Sequence, residues 1–372
     1  MSEIKGDKVM ETAQQSEIQC QNDDRRHLSP LQEGQEEVTP DRILQLVFGY
    51  APPLIIQAGI ANGVFDSLEH GPRYVSEVSA ITGAAVRGLR TIMNAMVGLG
   101  LLSKDPEGRY SLTRDSAAFL VSSNPSFLGG YVRHHTKQLI PEFLELDEII
   151  QRGGPAVPVG NEQIETEFFQ EFVEALFPLA FPGAQALAEA LGVDKARAPI
   201  RVLDLGAGSG VWGIALARKS AQVMVTAVDW PGVAAITRST AERLGVVDRF
   251  RFVEGNLWEA DFRRGYSIAT LGHILHGEGE EGNRRLLKKT FEALAPGGII
   301  VIAEILVDSD RTGPLFPLLF AVNMVVNTER GDTFSFEEIS DWLREAGFED
   351  VRTLQIPGPS PLILATKPNQ AG

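Results

Sequence analysis

Apolar residues recur at helical spacing through the N-terminal half of the chain and in short strand-like runs after Pro199. In TPDRILQLVFGYAPPLIIQAGIANGVFDSL the helical pattern begins behind Thr39 as a plausible N-cap, with Pro40 at the first helical position. Pro52 and Pro53 are expected to break or kink it into two pieces, because a proline ring removes an N–H and crowds the preceding turn. The segment YVSEVSAITGAAVRGLRTIMNAMVGLGLLSKDPEGRYSLT reads as helix, glycine-containing turn, helix, then two short strands around DPEG, a winged-helix arrangement. On its second helix the only cations are Arg87 and Arg90, whereas Leu89, Ile92, Met93, Met96 and Val97 form an apolar face. Such a face is built to pack, and burial against a second subunit is expected in preference to a DNA groove. Residues 114–190 continue helical, with a Gly/Pro-rich break at RGGPAVPVG.

Beyond Pro199, IRVLDLG, VMVTAVD, FRFVEGN, YSIATLG and GIIVIAEILV alternate with helical patterns, which predicts a parallel sheet with helical crossovers. VRTLQIP and PLILATKP are separated by too few residues for a crossover and must pair antiparallel. Between them and the parallel strands, GPLFPLLFAVNMVVN reads as a core or interface helix and partly a pocket wall, and SFEEISDWLREAGF as a helix capped by Ser335 and Glu338. Residues 1–38 lack apolar periodicity and are expected to be a disordered acidic tail.

A length of 372 residues suits two domains. The net charge of −15 argues against a phosphate-backbone partner, so no nucleic acid is expected. With no long uninterrupted apolar run and no basic-then-apolar start, no membrane association or export is expected and the protein is read as cytoplasmic. The single cysteine, Cys20, leaves no internal disulfide and no thiolate zinc site.

The strongest chemical signal is LDLGAGSG, residues 203–210, ending one strand and opening a helix. Glycines there let a ligand approach the backbone closely. Gly206 and Gly208 are followed by Val211 where the dinucleotide fingerprint has its third glycine, and no Lys-Ser or Lys-Thr follows as in a P-loop. Asp204, just inside the turn, suits a cationic ligand group better than a pyrophosphate. Asp229 ends the next strand, where an acid can accept from both hydroxyls of a ribose, a position equally compatible with NAD and S-adenosylmethionine. After the third strand, Asn256 and Leu257 are placed to read and cover an adenine, and Trp230 could stack on it. His134 and His135 are a poor metal pair, since neighbouring helical residues diverge, but they could line a pocket.

Taken in order, these residues resemble the class I S-adenosylmethionine-dependent methyltransferases, and within them the small-molecule O-methyltransferases of plants and bacteria (caffeic acid and acetylserotonin O-methyltransferase-like), over roughly residues 40–368. The resemblance implies an α/β fold: an N-terminal all-α winged-helix dimerisation domain (39–122), a helical linker contributing to the substrate pocket (123–195), and a Rossmann-like methyltransferase domain (196–372) whose mostly parallel seven-stranded sheet has an antiparallel last strand. It implies S-adenosylmethionine as cofactor, held by Asp204, Gly206 and Gly208 around the methionine part, Asp229 at the ribose, and Asn256 with Leu257 at the adenine. A homodimer acting on a small, ring-containing or polyketide-like acceptor follows from the same likeness. His276 of LGHILHGEGEEG falls at the family's catalytic base and Glu304 at the carboxylate that orients it, leaving His273 one turn earlier. No metal is implied. Gly277 and Glu278 depart from the family's acid or amide and tryptophan, and the family's second glutamate has only Asp332 or Thr333 nearby. These departures leave S- or C-methylation, or a non-methylating use of the same cofactor, as alternatives. More remote are a winged-helix DNA-binding regulator, which the acidity disfavours, and a nicotinamide-dependent dehydrogenase, which Val211 and the closing hairpin disfavour.

Overall fold

The computed structural model describes residues 38–156 and 162–369, without the side chains of residues 162–171 and 174. All of the expected N-terminal tail except Val38, and residues 157–160 of the Gly/Pro-rich break, lie outside the described residues.

Two units are distinguished, divided after Tyr50. In the first, a helix spans Asp41–Val47 and a 3₁₀ turn Phe48–Tyr50. The N-cap is Pro40 rather than Thr39, because the Thr39 hydroxyl donates to the Asp41 carboxylate (3.0 Å) instead of accepting from a helical N–H. Ile43, Leu44, Leu46, Val47, Phe48 and Tyr50 are each more than half exposed.

The second unit opens with a helix at Ala51–Ala61, whose first turn contains Pro52 and Pro53. There the missing N–H groups cost nothing, so the prolines start this helix. Helices Val75–Thr82 and Val86–Gly98 precede an antiparallel pair, β1 (Leu102–Lys104) and β2 (Tyr110–Leu112), around the DPEG turn. The apolar face of Val86–Gly98 serves this module's own core, not a subunit interface. Leu89, Met93 and Met96 are fully buried against Val64, Phe65, Leu68 and Val78, with Ile92 and Val97 packed beside them.

The C-terminal sheet has β3 (Ile200–Leu205), β4 (Val223–Asp229), β5 (Phe250–Glu254), β6 (Tyr266–Gly272), β7 (Leu294–Ala303), β8 (Glu349–Leu354) and β9 (Leu362–Thr366). Their order is β5-β4-β3-β6-β7-β9-β8, parallel except for β9, which runs antiparallel to both neighbours. Alternation along the strands feeds a separate core on each face, as Leu203 and Leu205 belong to one cluster and Val202 to the other. The order reverses at β3, so the loops after β3 and β6 diverge and open a crevice at the carboxyl ends of the strands. The long helix Glu162–Ala190 packs against the helix Val211–Lys219 and brings Phe172, Val173 and Leu176 to that crevice.

Candidate active site

The crevice is a cavity of about 1470 Å³, walled by the loops after β3, β4, β5, β6 and β7 and by the helical segments 129–143 and 172–183. After β3 the chain turns through Gly206 and Gly208, both left-handed (φ 58° and 55°). A Cβ on Gly206 would sit 2.1 Å from Ile274 Cδ1, so backbone alone fits there. Asp204 lies beneath this turn. It is 1% exposed and absent from the cavity wall, because it shares the pleat parity of Val202 and points toward the helix Val211–Lys219. Its carboxylate accepts from Thr270 Oγ1 (2.6 Å) and Gly213 N (3.1 Å), and burial pushes its pKa up to about 7 against those two bonds. Asp229 does face the cavity. One oxygen accepts from Gly208 N (2.8 Å) and the other from Trp230 N (2.8 Å), which ties the two loops together, and burial raises its pKa to about 6. Trp230 lines the wall next to it.

Asn256 and Leu257 also reach the cavity. The Asn256 side-chain oxygen accepts from Trp258 N at 2.8 Å, folding the loop into a turn. Lys289, which no motif marks, holds this turn from behind by donating to the carbonyls of Leu257 (2.6 Å), Trp258 (3.2 Å) and Ala260 (2.8 Å). Its ammonium also lies 3.9 Å from the Phe262 ring centroid. The sequence shows it only as one cation of NRRLLKK.

His276 is the second residue of the helix Leu275–Ala293, and Glu304 directly follows β7. Their pairing is close, with His276 Nδ1 2.7 Å from Glu304 Oε1 and the His276 backbone N–H donating to Oε2 (3.2 Å). Ile305 N adds a donor to Oε1 (2.9 Å). The Glu304 side chain is fully buried; burial alone would raise its pKa, but hydrogen bonding from His276 and His273, and their charge when protonated, hold it well below the ordinary carboxylate value. A carboxylate on Nδ1 leaves the proton there and Nε2 bare. Phe320 meets the His276 ring edge-on, centroids 5.0 Å apart. His273, in a left-handed conformation (φ 58°), places Nδ1 3.8 Å from the same Glu304 oxygen. The ligating atoms of His273, His276 and Glu304 lie within 4.8 Å of one another. At 2.7 Å, however, the His276–Glu304 pair is at hydrogen-bond distance, and a divalent ion would have to replace that bond.

The remaining wall is aromatic. His134 is buried and stacks on Phe172, centroids 4.0 Å apart, and Tyr131 packs at a tilt against His135, centroids 4.2 Å apart. Burial lowers both histidine pKa values, that of His134 to about 4, so both are neutral near pH 7. Asn327, 5% exposed, donates to Asn323 (3.0 Å), and its own side-chain oxygen has no partner. Neither Asp332 nor Thr333 reaches the cavity. Asp332 N donates to the His276 carbonyl (2.9 Å), its carboxylate turns to Thr333 N (2.7 Å), and Thr333 is wholly buried; Glu329 lines the wall nearby instead.

The glycine turn, the acid ending β4 and the seven-stranded order define a nucleoside-binding methyltransferase-type domain, and the cradle fits S-adenosylmethionine: bare backbone at Gly206, and at Asp229 a cavity-facing carboxylate with lone pairs to spare. Residues 187–349 match the O-methyltransferase domain family and residues 44–122 the O-methyltransferase dimerisation domain. The chain is 30% identical over 326 residues to 3-hydroxy-5-methyl-1-naphthoate 3-O-methyltransferase of Streptomyces sahachiroi, covering 86% of this chain and 92% of that one. It is 28% identical over 338 residues to the tetracenomycin polyketide synthesis 8-O-methyl transferase of Streptomyces glaucescens (88% and 97% covered). Among solved structures, PigF with S-adenosylhomocysteine superposes with a TM-score of 0.77 at 25% identity, covering 89% of this chain and all of that one. The human N-acetylserotonin methyltransferase in complex with S-adenosylmethionine shares the fold (TM-score 0.76, 24% identity, 90% and 100% covered). The chain belongs to the O-methyltransferase family, enzymes whose methyl donor is S-adenosylmethionine. The helical run Asp41–Ala61 is, by length and composition, apolar enough to span a membrane, contrary to the expectation of no such run; most of it falls within the dimerisation match.

Proposed function

We propose that this enzyme methylates a hydroxyl group on a small aromatic or polyketide-like molecule, with His276 as general base. The observation that carries the reading is the 2.7 Å His276–Glu304 pair in the wall of the cavity that also holds the glycine turn. The bound cofactor would supply an electrophilic methyl group on a sulfonium. Gly206 and Gly208 would cradle its methionine part, with Asp204 ordering that turn from below. Asp229 would accept from the ribose hydroxyls, and Asn256, Leu257 and Trp230 would enclose the adenine. A hydroxyl is largely protonated at neutral pH and needs its proton removed as it attacks. Nε2 of His276 takes that proton, and the resulting imidazolium is held by the Glu304 carboxylate. Phe320 packs against the imidazole and the ring stack of Tyr131, His134, His135 and Phe172 lies across the cavity, a setting suited to a flat acceptor. The named substrates of the two Streptomyces relatives, a naphthoate and a tetracenomycin polyketide, support that acceptor class.

The working unit is read as a homodimer, supported by the dimerisation match and by the exposed apolar side chains between Ile43 and Tyr50. A cytoplasmic setting agrees with a single cysteine in 372 residues, and the net charge of −15 with the absence of a nucleic-acid partner. The test is His276→Ala with hydroxynaphthoate-type acceptors: turnover falls by about 10²- to 10⁴-fold while S-adenosylhomocysteine affinity stays within about twofold. Glu304→Gln gives a smaller loss. Unchanged turnover in His276→Ala overturns the base assignment.

A further inference from the structure

Glu278 takes no part in the chemistry above, yet its side chain lines the cavity. It is half-buried, burial raises its pKa against the opposing influence of the His276 charge, and no hydrogen bond satisfies its carboxylate among the described residues. Desolvation without a donor is unfavourable for a carboxylate, and a ligand donor would offset it. Gly282 leaves open space between this carboxylate and Trp258, since an ideal Cβ there would lie 3.5 Å from Glu278 Oε2 and 3.7 Å from the tip of the Trp258 ring. The carboxylate thus sits beside the 255–258 loop, which is assigned to the adenine.

The one side-chain acceptor of that loop is already engaged. The Asn256 side-chain oxygen is turned to Trp258 N, which leaves its NH₂ to face a ligand. An NH₂ group satisfies a ring nitrogen of adenine, but the exocyclic amine of the same base is itself a donor and needs an acceptor. Arg285, stacked over Trp258 with its guanidinium 4.8 Å from the ring centroid, is likewise a donor only. We propose that Glu278 accepts a hydrogen bond from the exocyclic amino group of the cofactor's adenine and so selects a 6-amino over a 6-oxo purine. This rests on the cofactor reading and extends it to a residue that departs from the family's tryptophan.

The experiment compares S-adenosylhomocysteine with S-inosylhomocysteine by titration calorimetry on the full chain, at about pH 8 so that the carboxyl is ionised. The 6-oxo analogue replaces the amine with a carbonyl that faces the carboxylate unfavourably. The wild type should prefer the adenosine form by roughly ten- to a hundredfold, the worth of one hydrogen bond to a charged group. In Glu278→Gln, whose amide can either accept or donate, the preference should shrink to within about threefold, with S-adenosylhomocysteine binding retained as proof of folding. An unchanged preference in Glu278→Gln overturns the proposal, as does a change in acceptor KM with the preference intact, which would put Glu278 at the acceptor. Failure of the wild type to bind either nucleoside would instead count against the cofactor reading itself.

Discussion

Acidification should weaken cofactor binding through Asp229 well before it unfolds the protein. Burial raises the pKa of Asp229 to about 6, with the Gly208 and Trp230 N–H groups only partly opposing it. Ribose hydroxyls are donors, and the ionised carboxylate accepts from them best. If only that form binds, the apparent dissociation constant is the intrinsic one divided by the ionised fraction. That fraction is about one half at pH 6 and about one tenth at pH 5, so affinity for S-adenosylhomocysteine should fall about tenfold between pH 8 and pH 5. Linkage adds a second signature: binding at pH 6 releases about half a proton, because the bound carboxylate has a lowered pKa. Calorimetry across that range, repeated in two buffers of different ionisation enthalpy, reads both quantities. In Asp229→Asn binding should be weaker at every pH and lose this pH step. A wild-type affinity constant within twofold from pH 8 to pH 5, with no proton release, would refute the assignment of Asp229 to the ribose.

Three other outcomes follow from the geometry. Gly206→Ala must accept a left-handed φ of 58° and a Cβ 2.1 Å from Ile274 Cδ1, so it should lose about 2 kcal/mol of stability, a Tm drop of a few degrees by calorimetry, along with cofactor affinity. Lys289→Met removes three donors from the 257–260 turn and should weaken S-adenosylhomocysteine binding while leaving kcat at saturating cofactor near the wild-type value; equal affinity in the variant would deny Lys289 a positioning role. Asp204 has a folded pKa of about 7 against 3.8 for the free group, so between those values the folded state binds more protons and stability falls as pH rises. Chemical denaturation from pH 5 to pH 8 should therefore show a decline that is smaller in Asp204→Asn, the remainder coming from Asp229, whose pKa is also raised. Glu304, whose pKa is lowered, acts only below about pH 4.5, where stability is lost as pH falls.

Local signals made most of the sheet legible. Strand periodicity and the glycine turn need only neighbouring residues, and the short 355–361 connection forced the antiparallel last strand. Asp229 and Asn256 could be placed because one ends a strand and the other lies two residues beyond one in a parallel sheet, and that end of the strands is where the crevice lies. Asp204 shows where such reasoning stops. One residue of pleat parity decides whether a side chain enters the cavity or the core, and Asp204 goes with Val202 toward the helix at Gly213. Lys289 was beyond reach for another reason: its three acceptors lie about thirty residues away in sequence, on a loop with no pattern of its own. The apolar face of the helix Val86–Gly98 is legible in the sequence as a packing face, but amphipathicity does not say whether the cover comes from the same chain, and here it does.

Four carboxyl groups near the carboxyl ends of the strands differ mainly in what already satisfies them. Glu304 has two imidazoles and two backbone N–H groups, and its charge is secured within the protein. Asp204 has a hydroxyl and one N–H, both outside the cavity, and serves the turn above it. Asp229 has two N–H groups but lone pairs left over on the cavity side, and among the described residues Glu278 has no hydrogen-bond partner, only the charge of His276 nearby. In a buried setting each missing donor raises the free energy of the ionised form, as the upward pKa of both groups records. In the proposed binding mode a nucleoside would bring the missing donors, hydroxyls to Asp229 and an amine to Glu278. The satisfied pair, Asp204 and Glu304, does its work on protein groups, one by shaping the glycine turn and the other by holding the histidine.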